Sequence, residues 1–400
     1  NITIPESLSA YVYKVKFVDM IDFKQTAFDK SINTNISSDI EIEESYKEGI
    51  ELVTISSVCK DIFAGGDKPF DITDEMTSAN QIPVYANGVE KDGLVGYTSQ
   101  ARVTEKAVTV SARGTLGYCV IRETPFFPIV RLITAIPNPS KINIYYFKLV
   151  LNNLNVKNTG GTTPQLTVPE FQKHKIPLPN PQIYPKLQEN IVNECNVVDE
   201  EVKKAIKQIE DAESEIEQAF SNATKNATKT LRLSDSHIFN LSIGRRVLSN
   251  EIIQNGQYQV VSANVHDEFG RINHSVLDDF SVPSILWGID GDWMVNYIEK
   301  NILFAPTDHC GVIRVLDETE ILPKYLTYPL LKAGERERFS RANRASTERV
   351  RSLTITVPDI DTQKDVVAKV RECEALIAEA NSIIDNSAKR KQAILDKYLK

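Results

Sequence analysis

Two stretches of the chain carry the same spacing of apolar residues. In the first, Leu187, Ile191, Cys195, Val198, Val202, Ile206, Ile209, Ile216 and Phe220 follow one another mostly at steps of three and four; in the second, Val366, Val370, Cys373, Ile377, Ala380, Ile384 and Ile394 do so. The positions between them are mostly Glu, Lys, Gln and Asn. A narrow seam kept up over roughly 35 residues predicts a coiled-coil helix, and the two are placed at 181–221 and 360–400. Each would be about 50 Å long at ~1.5 Å per residue. The small domain before each helix cannot bury such a seam, so the two helices are expected to cover each other as an antiparallel pair.

The segments before the helices also repeat. At an offset of about 178 residues, Ala64-Gly65-Gly66-Asp67-Lys68 meets Ser242-Ile243-Gly244-Arg245-Arg246, and Gln81 to Asn87 meets Tyr258 to Asn264. Ser111-Ala112-Arg113-Gly114 meets Gly288-Ile289-Asp290-Gly291, and Phe126-Phe127-Pro128 meets Phe304-Ala305-Pro306. Lys175-Ile176-Pro177-Leu178-Pro179 meets Thr354-Ile355-Thr356-Val357-Pro358. Short β-branched or aromatic runs, such as Ala107 to Val110 and Ser284 to Trp287, predict strands. Short helices are expected around Ile144–Asn153 and Pro323–Ala333. The fold class is therefore α+β: two tandem domains, 49–180 and 230–359, each followed by a long helix. Residues 222–229, small and polar, read as a linker. Residues 1–48 belong to neither repeat and read as an extension or the tail of an upstream domain.

Composition narrows the classes. The chain has 400 residues, 42% hydrophobic and 25% charged, enough apolar content for real cores. No apolar run approaches the ~20 residues of a membrane span. Five scattered cysteines (Cys59, Cys119, Cys195, Cys310, Cys373) never form a CxxC, which argues against a disulfide framework or a structural zinc and for a reducing cytoplasm. No phosphate-binding GxxxxGK[ST] loop, GxSxG elbow or HExxH is present, nor an Asn/Asp-Pro-Pro-aromatic tetrapeptide of the kind that grips a flipped base. His309 and Cys310 are adjacent and read as strand packing. His266 and His274, with acidic neighbours, read as a solvated loop rather than a metal site. His174 and His237 have no partner that the sequence can name. No catalytic residue and no metal ligand is assigned.

Net charge is −8, yet positive charge is concentrated. Between Lys332 and Arg351 lie Lys332, Arg336, Arg338, Arg341, Arg344, Arg349 and Arg351 against only Glu335, Glu337 and Glu348, with Ser340, Asn343, Ser346 and Thr347 among them. Arginine suits bidentate contact with phosphates or guanine edges. The matching stretch of the first repeat holds Lys157, Lys173 and Lys175. Lys68 and the Arg245-Arg246 pair sit in matching loops. A basic run alone is also what a solvated helix face looks like; its recurrence before both long helices favours DNA. Candidate DNA-binding residues are Arg341, Arg344, Arg349, Arg336, Arg338, Lys68, Arg245, Arg246, Arg113, Lys157 and Lys173. Trp287, near the repeated Gly turn, reads as core.

With these features the chain resembles the DNA-specificity subunits of Type I restriction-modification systems. The resemblance rests on the two repeats with a helix after each and on the Ile176-Pro177-Leu178-Pro179 exit followed by Gln188-Glu189-Asn190-Ile191-Val192. It rests also on Val357-Pro358 followed by Gln363, and on the stretch from Gly160 to Thr167. It implies that each domain reads one half of a split site while the helices set the gap; ~50 Å matches about 15 base pairs of ~3.4 Å. It implies adenine methyl transfer and ATP-dependent cleavage on partner subunits, with S-adenosylmethionine and ATP bound there and no cofactor in this chain. Residues 1–48 and the missing initial Met fit either a specificity region fused behind an adenine methyltransferase domain or a subunit with an N-terminal extension. The competing class is a coiled-coil protein-interaction scaffold without specific DNA binding.

Overall fold

A computed structural model describes residues 46–154, 165–225, 227 and 229–400. The chain forms two compact units. The first holds the described residues up to Asn196 together with Lys389–Lys400; the second spans Val197–Ala388.

The first unit begins with β1 (Ile50–Thr54), a single helical turn α1 (Ile55–Val58) and β2 (Cys59–Ala64). There follow β3 (Ile82–Tyr85), β4 (Leu94–Thr98), β5 (Ala107–Val110), β6 (Cys119–Arg122), β7 (Phe127–Pro128) and β8 (Ile133–Pro137), then α2 (Ile144–Asn152), α3 (Val168–Lys173) and β9 (Lys175–Pro179). The strands form a four-stranded sheet in the order β2-β8-β5-β6, a three-stranded sheet β4-β3-β7 and the pair β1-β9. β5 is buried on both faces, which suits its Ala-Val-Thr-Val sequence for the centre of a sheet. Asn143 caps α2 by accepting the Tyr145 and Tyr146 amides, and Thr167 with Glu170 forms a capping box on α3. The core gathers Val108, Ile133, Tyr146, Phe147, Phe171 and Ile176.

The second unit repeats this plan strand by strand, with turns in place of α1. Its strands are β10 (Lys229–Arg232), β11 (Phe239–Ile243), β12 (Tyr258–Val261), β13 (Gly270–Ile272), β14 (Ser284–Gly288), β15 (Val295–Ile298), β16 (Phe304–Pro306), β17 (Cys310–Val315) and β18 (Thr354–Val357). Sheet orders β11-β17-β14-β15, β13-β12-β16 and β10-β18 are those of the first unit, including the parallel β12–β16 pairing that matches β3–β7. Helices α5 (Pro323–Arg336) and α6 (Thr347–Arg351) stand where α2 and α3 do. Trp287 is fully buried, as expected of a core residue, and its indole N–H donates to the Ala345 carbonyl at 2.9 Å. Gly311 makes room for it: a Cβ there would fall 2.1 Å from the Trp287 ring.

The long helices are α4 (Leu187–Lys225) and α7 (Ile360–Leu399). In the first unit, Glu194 near the start of α4 pairs with Lys397 at the end of α7 at 3.0 Å and accepts from the Tyr398 hydroxyl. In the second unit, Glu215 late in α4 pairs with Lys369 early in α7 at 2.6 Å. The helices are therefore antiparallel, as predicted.

Three expectations need correction. The linker expected at 222–229 is helical in its first part, because α4 runs on to Lys225. Phe220 and Ala223 bury themselves in the second core, with Phe220 stacked on Tyr328 at 4.2 Å. α4 starts only at Leu187, because Pro181 and Pro185 hold the preceding segment in turns. The seam of α4 does not include Ile206, which is 46% exposed; Ala205 and Ala212 are buried instead. Val198, Ala205 and Ala212 are seven residues apart, so the heptad continues through alanines that a search for large apolar residues passes over.

Strand pairing also shifts two of the matched segments by one residue. The Gly65 amide donates to Leu132 and the Gly244 amide to Cys310, so Gly65 corresponds to Gly244 and Lys68 to Val247. Val84 pairs with Phe127 and Val260 with Ala305, so Val84 corresponds to Val260. The loops match, while Lys68 and Arg246 do not occupy the same position in them.

Candidate nucleic-acid interface

In the first unit, five segments meet beyond the ends of β2, β3, β5 and β7. The Gly65 amide donates to Leu132 at 2.8 Å, Val130 to Gly66 at 2.8 Å and Ile129 to Tyr85 at 2.9 Å. Asn87 ties two loops at once, donating from Nδ2 to the Val130 carbonyl at 2.7 Å and accepting the Ala112 amide at 2.8 Å. The Leu166 amide donates to Ala112 at 3.0 Å, which brings in the segment before α3. Val130 and Arg131 both sit in the left-handed region, at φ 50° and 63°. That conformation is strained for a β-branched residue and is held here by the surrounding hydrogen bonds.

Two arginines converge on this platform. Arg113, in the β5–β6 loop, donates from Nε at 3.1 Å and Nη2 at 2.7 Å to the Gln165 amide oxygen. Arg131, in the β7–β8 loop, donates to the same oxygen from Nη1 at 3.2 Å. Both side chains are exposed. Gly114 beside Arg113 has φ 70° and nothing within 4 Å of where a side chain would begin, so the loop tip stands open. The Arg102 guanidinium lies beside Gly66 and over the Phe63 ring at 5.0 Å.

The second unit gathers its equivalent segments in the same way. The Thr307 amide donates to Val261 at 2.9 Å, Ile289 to His309 at 3.0 Å and Ala345 to Ile289 at 3.1 Å. Asp290, in the β14–β15 loop, receives Arg344 through both of its oxygens, with Nη2 at 2.7 Å from Oδ2, and bonds to His309 Nδ1. Burial works to raise the Asp290 pKa, but the bonds from His309 and Arg344 outweigh it and hold the carboxyl below its ordinary value. Gly291, at φ 89°, forms the same open tip as Gly114.

The other candidates fall into two groups. Arg245 makes a bidentate ion pair with Glu251, at 2.6 and 3.2 Å. The Arg245 bond and the Leu248 amide hold Glu251 down to about 2. Arg349 donates to the Arg344 carbonyl at 3.0 Å and to Asn343, and lies over the Phe339 ring at 4.8 Å, so it braces the loop that carries Arg344. Arg336, Arg338, Arg341, Arg246, Lys68 and Lys173 are exposed. Lys157 lies outside the described residues.

His309 does not pack within a strand, contrary to the expectation from its sequence. It precedes β17 and is half exposed, while Cys310 is buried. Burial pushes the Cys59, Cys119 and Cys310 thiols up to about 12. Among the described residues no group of three or more His, Cys, Asp or Glu side chains could hold a metal ion, and no helix is long and apolar enough to cross a membrane. Sequence reading missed Arg131, His309 and Asn87 as members of these platforms.

A duplicated α+β unit with an open loop platform on each copy and two long antiparallel helices defines the architecture. The chain belongs to the family of the Type I restriction modification DNA specificity domain, which it matches twice, at residues 47–211 and 228–385. It is similar to two proteins of Mycoplasma pneumoniae (strain ATCC 29342 / M129 / Subtype 1) named as type I specificity subunits. One, S.MpnORF507P, is 33% identical over 138 residues, covering 34% of this chain and 38% of the relative. The other, S.MpnORF89P, is 31% identical over 157 residues, covering 39% and 44%. The matches thus span about two-fifths of these relatives' length. The crystal structure of a Type-I restriction-modification system S subunit from M. genitalium shares the fold with a TM-score of 0.56 at 17% identity, over 88% of this chain and 96% of that one. A chain from a structure of the type I R-M system, described for its complex assembly and conformational transition, gives 0.53 at 14% identity, over 88% and 98%.

Proposed function

We propose that this chain is the DNA-reading component of a type I restriction-modification system. Each unit reads one short half of a bipartite duplex site, and the chain directs an adenine methyltransferase, and where present a restriction subunit, to that site. The chain is not itself an enzyme. S-adenosylmethionine and ATP are used on the partner subunits, and the complex works in the cytoplasm. The observation that carries this reading is the recurrence of one exposed, arginine-bearing loop platform on both copies of the fold, in a chain whose net charge is negative. Arginine side chains held on exposed loops are what contact with a duplex backbone and base edges requires.

Equilibrium binding of a fluorescent duplex by the full chain with its methyltransferase subunit tests it. Affinity should fall steeply with added salt, because each neutralised phosphate releases a counterion. An affinity that is absent, or indifferent to salt, contradicts the reading.

A further inference from the structure

Strand register makes the two platforms comparable residue by residue. The Ala112 carbonyl receives the Leu166 amide, and the Ile289 carbonyl receives the Ala345 amide, so Arg113 corresponds to Asp290 and Gln165 to Arg344. The Gly65 amide donates to Leu132 and the Gly244 amide to Cys310, so Arg131 corresponds to His309. The same three positions therefore meet in each unit, with opposite chemistry. In the first, two guanidiniums share the Gln165 oxygen. In the second, one carboxylate is shared by a guanidinium and an imidazole.

Stability does not explain these clusters. Arg344 is 59% exposed at its side chain and His309 48%, and exposed ion pairs contribute little. What the clusters do is fix the direction of side chains on an open loop tip, leaving part of their hydrogen-bonding capacity unused. Arg113 and Arg131 each have five N–H donors, of which Gln165 engages two and one. The first cluster thus presents donors only. In the second, Asp290 contributes acceptor lone pairs beside the remaining donors of Arg344.

We propose that these two side-chain triplets are the base-reading sets of the two units, the first selecting a guanine edge and the second an exocyclic amine of cytosine or adenine. The inference rests on the DNA-reading role proposed above and deepens it. Guanine offers two acceptors, O6 and N7, in the major groove, which fits a donor-only pair. A carboxylate accepts from a base amine, which fits Asp290. Because the same loop positions carry different chemistry, one frame serves two different half-sites.

Selection from a randomised duplex pool, using the full chain with its methyltransferase subunit, tests this by comparing the wild type with Arg113→Lys/Arg131→Lys and with Asp290→Asn. Lysine keeps the charge but not the guanidinium fork. The double lysine variant should lose guanine preference by about tenfold or more at one or two positions of one half-site, leaving the other half-site and the gap unchanged. Asp290→Asn should change base preference in the other half-site only. Variants whose thermal midpoints match the wild type and which keep both half-sites overturn the assignment. If the wild type enriches no motif, the DNA-reading role fails and the assignment with it.

Discussion

Gln188 and Gln363 make the same hydrogen bond in the two units. Gln188 Oε1 accepts the Asn143 amide at 2.8 Å, and Gln363 Oε1 accepts the Leu322 amide at 2.9 Å. Asn143 and Leu322 are the N-cap residues of α2 and α5. In each unit, then, the first turn of the long helix is keyed to the globular fold through a backbone N–H that the short helix itself cannot satisfy.

Gln363 is fully buried and also donates to the Pro358 carbonyl at 3.0 Å and the Glu320 carbonyl at 3.2 Å. Gln363→Ala leaves these groups unpaired and should cost about 1–3 kcal/mol. Gln188 is only partly buried and makes the single bond to Asn143, so Gln188→Ala should cost less. Urea unfolding curves of the two variants check the order; equal losses would show that burial of the glutamine is not what matters.

Gly311→Ala places a methyl group against the Trp287 ring in a site with no free volume. Overpacking of this kind should destabilise the second unit by about 1–3 kcal/mol. The double variant Gly311→Ala/Trp287→Phe, with a smaller ring, should recover part of a loss that the thermal midpoint reports. No recovery would place the strain elsewhere.

Acid stability follows from two carboxylates. Hydrogen bonds from Ser99 and Thr98 bring Asp71 from its ordinary 3.8 to about 2, and Arg245 with the Leu248 amide brings Glu251 from 4.5 to about 2. A depressed folded-state pKa contributes stability that is fully present above the ordinary value and is lost as pH falls toward the folded value. The window is therefore about pH 4.5 down to about 2. Asp71→Asn with Glu251→Gln should make the fall in urea midpoint across this window shallower than in the wild type. An unchanged slope would count against both assignments.

Much of the fold is legible in the sequence because two periodic signals are strong. The helices announce themselves through seven-residue spacing, and the repeat shows in the order of its Gly, Pro and strand segments. Where the reading slipped, the reasons are local. Ala205 and Ala212 are too small to be noticed as seam residues, yet their burial continues the heptad. Ser221 to Lys225 look like a linker, but Phe220 and Ala223 anchor that turn in a core whose partners lie over 100 positions away in sequence, at Tyr325 and Tyr328. The platforms were half visible. Arg113 and Arg344 stand out by charge, whereas Arg131 and His309 join them only through backbone pairing of distant segments. The left-handed turn at Val130 and Arg131 carries no Gly or Asn to mark it. Arg349 also stands out by charge, and its donation to Asn343 and to the Arg344 carbonyl is set by a loop fold that charge alone does not reveal.

In the function proposed above, this chain decides where an adenine methyltransferase acts. Mapping N6-methyladenine across a genome in cells that express the methyltransferase with and without this chain puts this role to the test. Methylated adenines should be confined to one motif of two short half-sites at a fixed gap, and should disappear when the chain is withheld. Methylation that is scattered without such a motif, or that persists unchanged without the chain, contradicts it.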